Sequence, residues 1–148
     1  MAGIREFLKA EDIGTVVSAI VDAEKRTSGE IRVRIESKAG KDPEAKARAA
    51  FEILGMRRTE LKNGVLFYLS VNDRKFAIIG DDGINARVPE GFWNNVKDAV
   101  LEQFRKGHFA IGLTGGISLA AEKLSEFFPA EREDINELPD AVSFEEEK

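Results

Sequence analysis

The sequence predicts an α/β fold: a three-layer α/β/α sandwich built on a short mixed β-sheet, with about four helices. Three observations predict it. Residues 65–70 (VLFYLS) and 75–80 (KFAIIG) are nearly continuous apolar runs rich in β-formers, the pattern of strands covered by helices on both faces. Between the runs lies Val71-Asn72-Asp73-Arg74, whose Asn and Asp suit a tight turn, so the two runs read as a central antiparallel hairpin. Upstream, residues 30–38 (EIRVRIESK) alternate apolar and charged positions and are followed by a helical stretch. A strand, a helix and a strand in that order make a parallel crossover unit.

Taken in order, residues 10–27 open the fold with a helix. Ile13, Val16, Val17, Ile20 and Val21 form one apolar stripe, and Gly29 is a natural stop. In residues 30–38, Ile31, Val33 and Ile35 alternate with Arg32, Arg34 and Glu36, as in a strand with one wet face or at an edge. The two arginines read as a solvated or salt-bridged face rather than an anion site. Asp42-Pro43 starts the crossover helix, an N-cap followed by proline in the first turn, and Gly55 ends it. Pro89-Glu90-Gly91 precedes a helix over residues 92–106, with Trp93, Val96, Val100, Leu101 and Phe104 facing inward. A last helix spans about 111–128, where Pro129 stops it. Its Gly112-Leu113-Thr114-Gly115-Gly116 lacks the lysine and the spacing of a phosphate loop and reads as close helix packing. Residues 1–129 form one domain. Residues 130–148 read as an acidic, flexible tail, with Leu138, Val142 and Phe144 as docking points.

Composition excludes several functions. The chain has no cysteine, which removes disulfides, thiolate zinc sites and cysteine nucleophiles. Its one histidine, His108, cannot make a histidine-rich metal site. No run of about 20 apolar residues and no signal-peptide pattern is present, so a cytoplasmic protein without direct membrane insertion is expected. Net charge is −5, and residues 131–148 alone carry eight acidic and two basic side chains. A near-neutral body with an acidic tail argues against nucleic-acid binding.

Chemistry concentrates at Gly80-Asp81-Asp82-Gly83. The plainer reading is a polar turn, in which aspartate caps backbone groups and glycine supplies positive φ. The functional reading is a hard-cation site, since Ca²⁺ and Mg²⁺ take carboxylate, amide and carbonyl oxygens. Topology brings the starts of the first two strands and the end of the third to one rim of the sheet. Glu30, Asn63, Asp81 and Asp82 then converge as candidate metal ligands. Carboxylates brought together repel, and either a bound cation or a nearby arginine such as Arg57 or Arg87 relieves that. No catalytic residue is identified.

These residues also resemble a known family. Ser28-Gly29-Glu30-Ile31, residues 51–59, Asn63-Gly64-Val65-Leu66, Asp73-Arg74, Ile79-Gly80-Asp81-Asp82-Gly83-Ile84 and Trp93 are similar to the TPM domain. That family takes its name from a thylakoid-lumen phosphatase-like protein, a photosystem II repair protein and a receptor modulator. The resemblance covers about residues 13–129, and the tail DINELPDAVSF is similar to that of some soluble bacterial members. It implies a three-layer fold, a Ca²⁺ or other divalent site near the GDDG loop, and an acid phosphatase activity. The cation role carries over to Asp81 and Asp82, and to Glu30 less directly. Many members carry a signal peptide and a membrane anchor, and this chain shows neither; the expected partner is another protein, a membrane-anchored homologue among the candidates. Three functions follow: a cation-binding domain in protein assembly or maintenance, a metal-dependent phosphomonoester hydrolase with Arg57, Arg58 or Arg87 on the phosphate, and an ion-free interaction module.

Overall fold

Alternating strand and helix signals become a mixed sheet between two helical layers. The computed structural model describes residues 10–130 and 142–144. The elements are α1 (Ala10–Glu24), β1 (Glu30–Glu36), α2 (Pro43–Ile53), a 3₁₀ turn (Met56–Arg58), β2 (Gly64–Ser70), β3 (Lys75–Gly80), α3 (Asp82–Asn85), α4 (Asn94–Arg105), α5 (Phe109–Leu124) and β4 (Val142–Phe144). The four strands lie in the order β3-β2-β1-β4. β1 and β2 are parallel, with Glu30 opposite Gly64. β2 and β3 form the expected antiparallel hairpin, with Val65 opposite Gly80.

Side-chain alternation assigns the two faces of the sheet. Ile31, Val33 and Ile35 of β1 join Val65, Phe67 and Leu69 of β2 in a core with α1, α4 and α5. Leu66 and Tyr68 point the other way, onto Ala47, Ala50 and Phe51 of α2. Every position of β2 is buried, which is why its sequence is apolar without a break. The helix termini follow their signals: Asp42 accepts from the Ala45 amide at 3.1 Å, with Pro43 in the first turn.

Two strand positions differ from expectation. β2 is interior, but β3 is an edge strand, so the hairpin is not the centre of the sheet. β1, whose alternation marks it as half wet or an edge, is interior, because Val142–Phe144 pair with Val33–Ile35. The alternation has another cause: α2 packs mainly on β3 and β2, so the polar face of β1 lies beside it rather than under it. Arg34 there finds Glu36 at 3.0 Å and Ser143 Oγ at 3.0 Å, a salt-bridged face. Val142 and Phe144, read as docking points, belong to β4; Leu138 lies outside the described residues.

The helices also differ in detail. α3 is a single turn within the acidic loop that the sequence pattern does not separate. α5 begins and ends earlier than its apolar pattern suggests. Gly116 lies where a Cβ would sit 2.4 Å from Val100 Cγ2, which confirms close packing of α5 on α4. No helix among the described residues is long and apolar enough to cross a membrane.

Candidate functional site

Backbone hydrogen bonds gather the candidate residues at one rim of the sheet. The Glu30 amide donates to the Asn63 carbonyl at 3.1 Å, and the Asp81 amide to the Gly64 carbonyl at 3.0 Å. Glu30 begins β1, Asn63 directly precedes β2, and Asp81 directly follows β3. The convergence expected from topology therefore holds for the main chain of these three residues.

Their side chains do different things. Asn63 is buried, and its Nδ2 donates to Ser28 O at 3.1 Å and Ser28 Oγ at 3.3 Å. It ties the start of β2 to the turn before β1, leaving only Oδ1 as a possible ligand atom. Glu30 is buried as well, at 5 % exposure. Asp82 projects outward with its side chain 83 % exposed. Asp81 is the N-cap of α3, and its side chain is 0 % exposed. Asp81 Oδ1 accepts from the Asp82 amide at 2.7 Å and from Arg57 Nη1 at 2.9 Å. Asp81 Oδ2 is buried and has no hydrogen-bond partner among the described residues.

Both glycines of the loop are needed for space rather than for dihedral freedom. Neither Gly80 nor Gly83 has positive φ. A Cβ on Gly83 would sit 2.2 Å from Leu61 O and 2.6 Å from Lys62 O, and one on Gly80 would sit 2.9 Å from Ile84 Cγ2. The loop thus packs its backbone onto residues 61–62.

Arg57 is the counter-charge. Its Nη1 lies 2.9 Å from Asp81 Oδ1 and 3.4 Å from Asp82 Oδ2, and its Nε donates to Glu52. The Glu52 hydrogen bond, against some desolvation and with the charges of Glu52, Asp81 and Asp82, raises the guanidinium above its ordinary pKa. Arg87, the alternative counter-charge, stacks over the Phe128 ring at 5.0 Å. Glu52 escaped the sequence reading; its only signal there is a carboxylate and an arginine either side of the Gly55 turn.

For a divalent ion, the donor chemistry fits: buried and exposed carboxylates and an amide oxygen are hard ligands. Among the described residues, however, no three His, Cys, Asp or Glu side chains are spaced to hold a metal ion in this conformation.

A family model described as the TPM domain matches residues 5–123. The chain belongs to the TPM domain family. This TPM domain is similar to the BA42 protein of the psychrophilic bacterium Bizionia argentinensis, solved by NMR, at 45 % identity and a TM-score of 0.91, over 98 % of this chain and 100 % of that one. Two further solution structures share the fold. One is the N-terminal domain of a protein from P. gingivalis, at 19 % identity and TM-score 0.65, covering 82 % of this chain and 79 % of that one. The other is the N-terminal domain of a Corynebacterium glutamicum protein, at 18 % identity and TM-score 0.60, covering 95 % and 81 %. No curated protein matches the chain.

Proposed function

We propose that this TPM domain binds a divalent cation, Ca²⁺ or Mg²⁺, at the rim of the sheet and acts in the assembly or maintenance of other proteins. The observation that carries the cation is Asp81 Oδ2, a buried carboxylate oxygen with no donor among the described residues. Such an oxygen is costly to leave unsatisfied, and a hard cation is the ligand that suits it. Asp81 anchors the ion in this reading, and Asp82, Asn63 Oδ1 and Glu30 are the further oxygen donors at the same rim. A bound ion supplies fixed positive charge there. Arg57 supplies part of that charge already, and with half its side-chain surface exposed it is free to yield to an ion. Cation and Arg57 then compete for Asp81.

An amide NMR titration with Ca²⁺ and then Mg²⁺ tests this. Shifts are expected at Glu30, Asn63 and residues 81–85, and are lost when Asp81→Asn and Asp82→Asn are combined. Arg57→Gln is expected to tighten binding several-fold, because it removes the competitor. A flat titration at millimolar ion, in both the native chain and R57Q, would remove the cation and leave Arg57 as a permanent counter-ion. That outcome would favour the ion-free interaction module, to which the 2.9 Å Arg57–Asp81 contact lends support. The hydrolase alternative requires metal-dependent turnover of an aryl phosphate that the double aspartate variant lacks.

A further inference from the structure

The two edges of the sheet are treated differently. On the β1 side, the edge directed away from β2 is covered. The Ile31 amide donates to Glu24 Oε2 at 3.0 Å, and Val33–Ile35 pair with β4. On the other side, β3 is the last strand. The Asp81-to-Gly64 hydrogen bond sets the parity of the antiparallel ladder, so Ala77 and Ile79 direct their N–H and C=O toward β2. Phe76 and Ile78 direct theirs outward, where no hydrogen bond meets them among the described residues. An open edge of this kind is a template for another strand, and proteins normally cover it.

A cleft of about 440 Å³ lies along that edge, with Ala77 and Ile78 in its lining. Glu44 at the start of α2 contributes one wall; Asn94 and Lys97 at the start of α4 contribute the opposite one. Residues 88–93, between α3 and α4, supply much of the remaining lining, Pro89 and Trp93 among them. The Trp93 indole N–H is covered and has no acceptor among the described residues. The cleft therefore offers the outward main-chain groups of Ile78 and an apolar aromatic wall. Extended peptide supplies both complements: a main chain of alternating donors and acceptors, and an apolar side chain on alternate positions.

We propose that the β3 edge is a docking site for an extended, basic segment of another protein, which adds a fifth strand beside β3. Charge selects the partner. Glu44 and Glu90 outnumber Lys97 at the cleft. The chain's own C-terminal strand is seated at the far edge, on β1. This proposal deepens the protein-directed part of the reading above and is independent of the cation.

The test uses the full ¹⁵N-labelled chain in EDTA, so that failure of the cation site does not affect it. The probe is the capped peptide Lys-Thr-Val-Thr-Val-Lys. Expected are amide shifts led by Phe76 and Ile78 over Ala77 and Ile79, with movement of the Trp93 indole N–H. N-methylation of the peptide at alternate residues should abolish binding. Replacing its lysines by glutamates should weaken binding several-fold, and Glu44→Lys with Glu90→Lys should reverse that preference. Absence of shifts at the edge with millimolar peptide, or equal binding of the N-methylated peptide, would overturn the proposal. So would protein-concentration-dependent shifts at Phe76 and Ile78 without peptide, which would make a second copy the occupant.

Discussion

Asp73 sits in the hairpin between β2 and β3 and ties it to the loop after β1. Its Oδ2 accepts from the Ala39 and Gly40 amides at 3.1 and 3.2 Å, and its Oδ1 from the Ser70 hydroxyl. Burial pushes the carboxyl up, but the Ser70, Ala39 and Gly40 hydrogen bonds together outweigh it and hold the pKa below its ordinary value. A depressed folded-state pKa adds stability above the unfolded value, near 3.9, and loses it as pH falls through the folded value. Asp73→Ala is expected to cost about 1–2 kcal/mol at neutral pH. In urea unfolding, the gap between native chain and variant should narrow below about pH 4 as the native carboxylate protonates. The turn role of Asn72-Asp73 is legible in sequence. The partners of Asp73 are not, because Ala39 lies 34 positions away. The rim shows the same limit. Arg57 is a legible candidate for Asp81, yet the burial of Oδ2 and the close approach of residues 61–62 to Gly83 exist only in the folded chain.

At the scale of elements, α5 shows how one motif holds two kinds of glycine. A Cβ on Gly115 meets nothing within 4 Å, whereas one on Gly116 meets Val100 Cγ2 at 2.4 Å and Phe67 Cε2 at 3.3 Å. Gly115→Ala should stabilise by up to about 1 kcal/mol through helix propensity. Gly116→Ala should destabilise by about 1–3 kcal/mol through overpacking of the α4–α5 contact. Thermal unfolding of the two variants checks the opposite signs. Sequence alone shows two adjacent glycines in an apolar helix; only the position of α4 separates their roles. Helix starts are more legible, since the Asp42-Pro43 signal is local and needs no partner from elsewhere. β1 marks the converse case. Its alternation reports one uncovered face and says nothing about which strands flank it.

At the scale of the molecule, the sheet is completed from the end of the sequence. β4 pairs with β1 across 109 positions between Arg34 and Ser143. Truncation after Ala130 should therefore expose one edge of β1 selectively. The Val33 and Ile35 amides should exchange faster with deuterium. Arg32 and Arg34 should stay protected, because the Glu30–Asn63 hydrogen bond places their parity toward β2. Equal loss of protection along all of β1 would mean that β4 supports the whole sheet rather than its edge. The same parity reasoning identifies the open edge at Phe76 and Ile78, on the far side of the sheet.

The sequence by itself determined the α/β class, the parallel crossover, the hairpin and the family, because hydrophobic period, caps and turn residues act over a few positions. It also determined that Glu30, Asn63 and Asp81 share a rim, since strand directions follow from the connections. Tertiary structure decided which strands are edges, that Arg57 reaches the buried Asp81, and that a cleft opens beside β3. Those features depend on packing between distant segments. Burial and main-chain pairing there are set by geometry that local pattern does not encode.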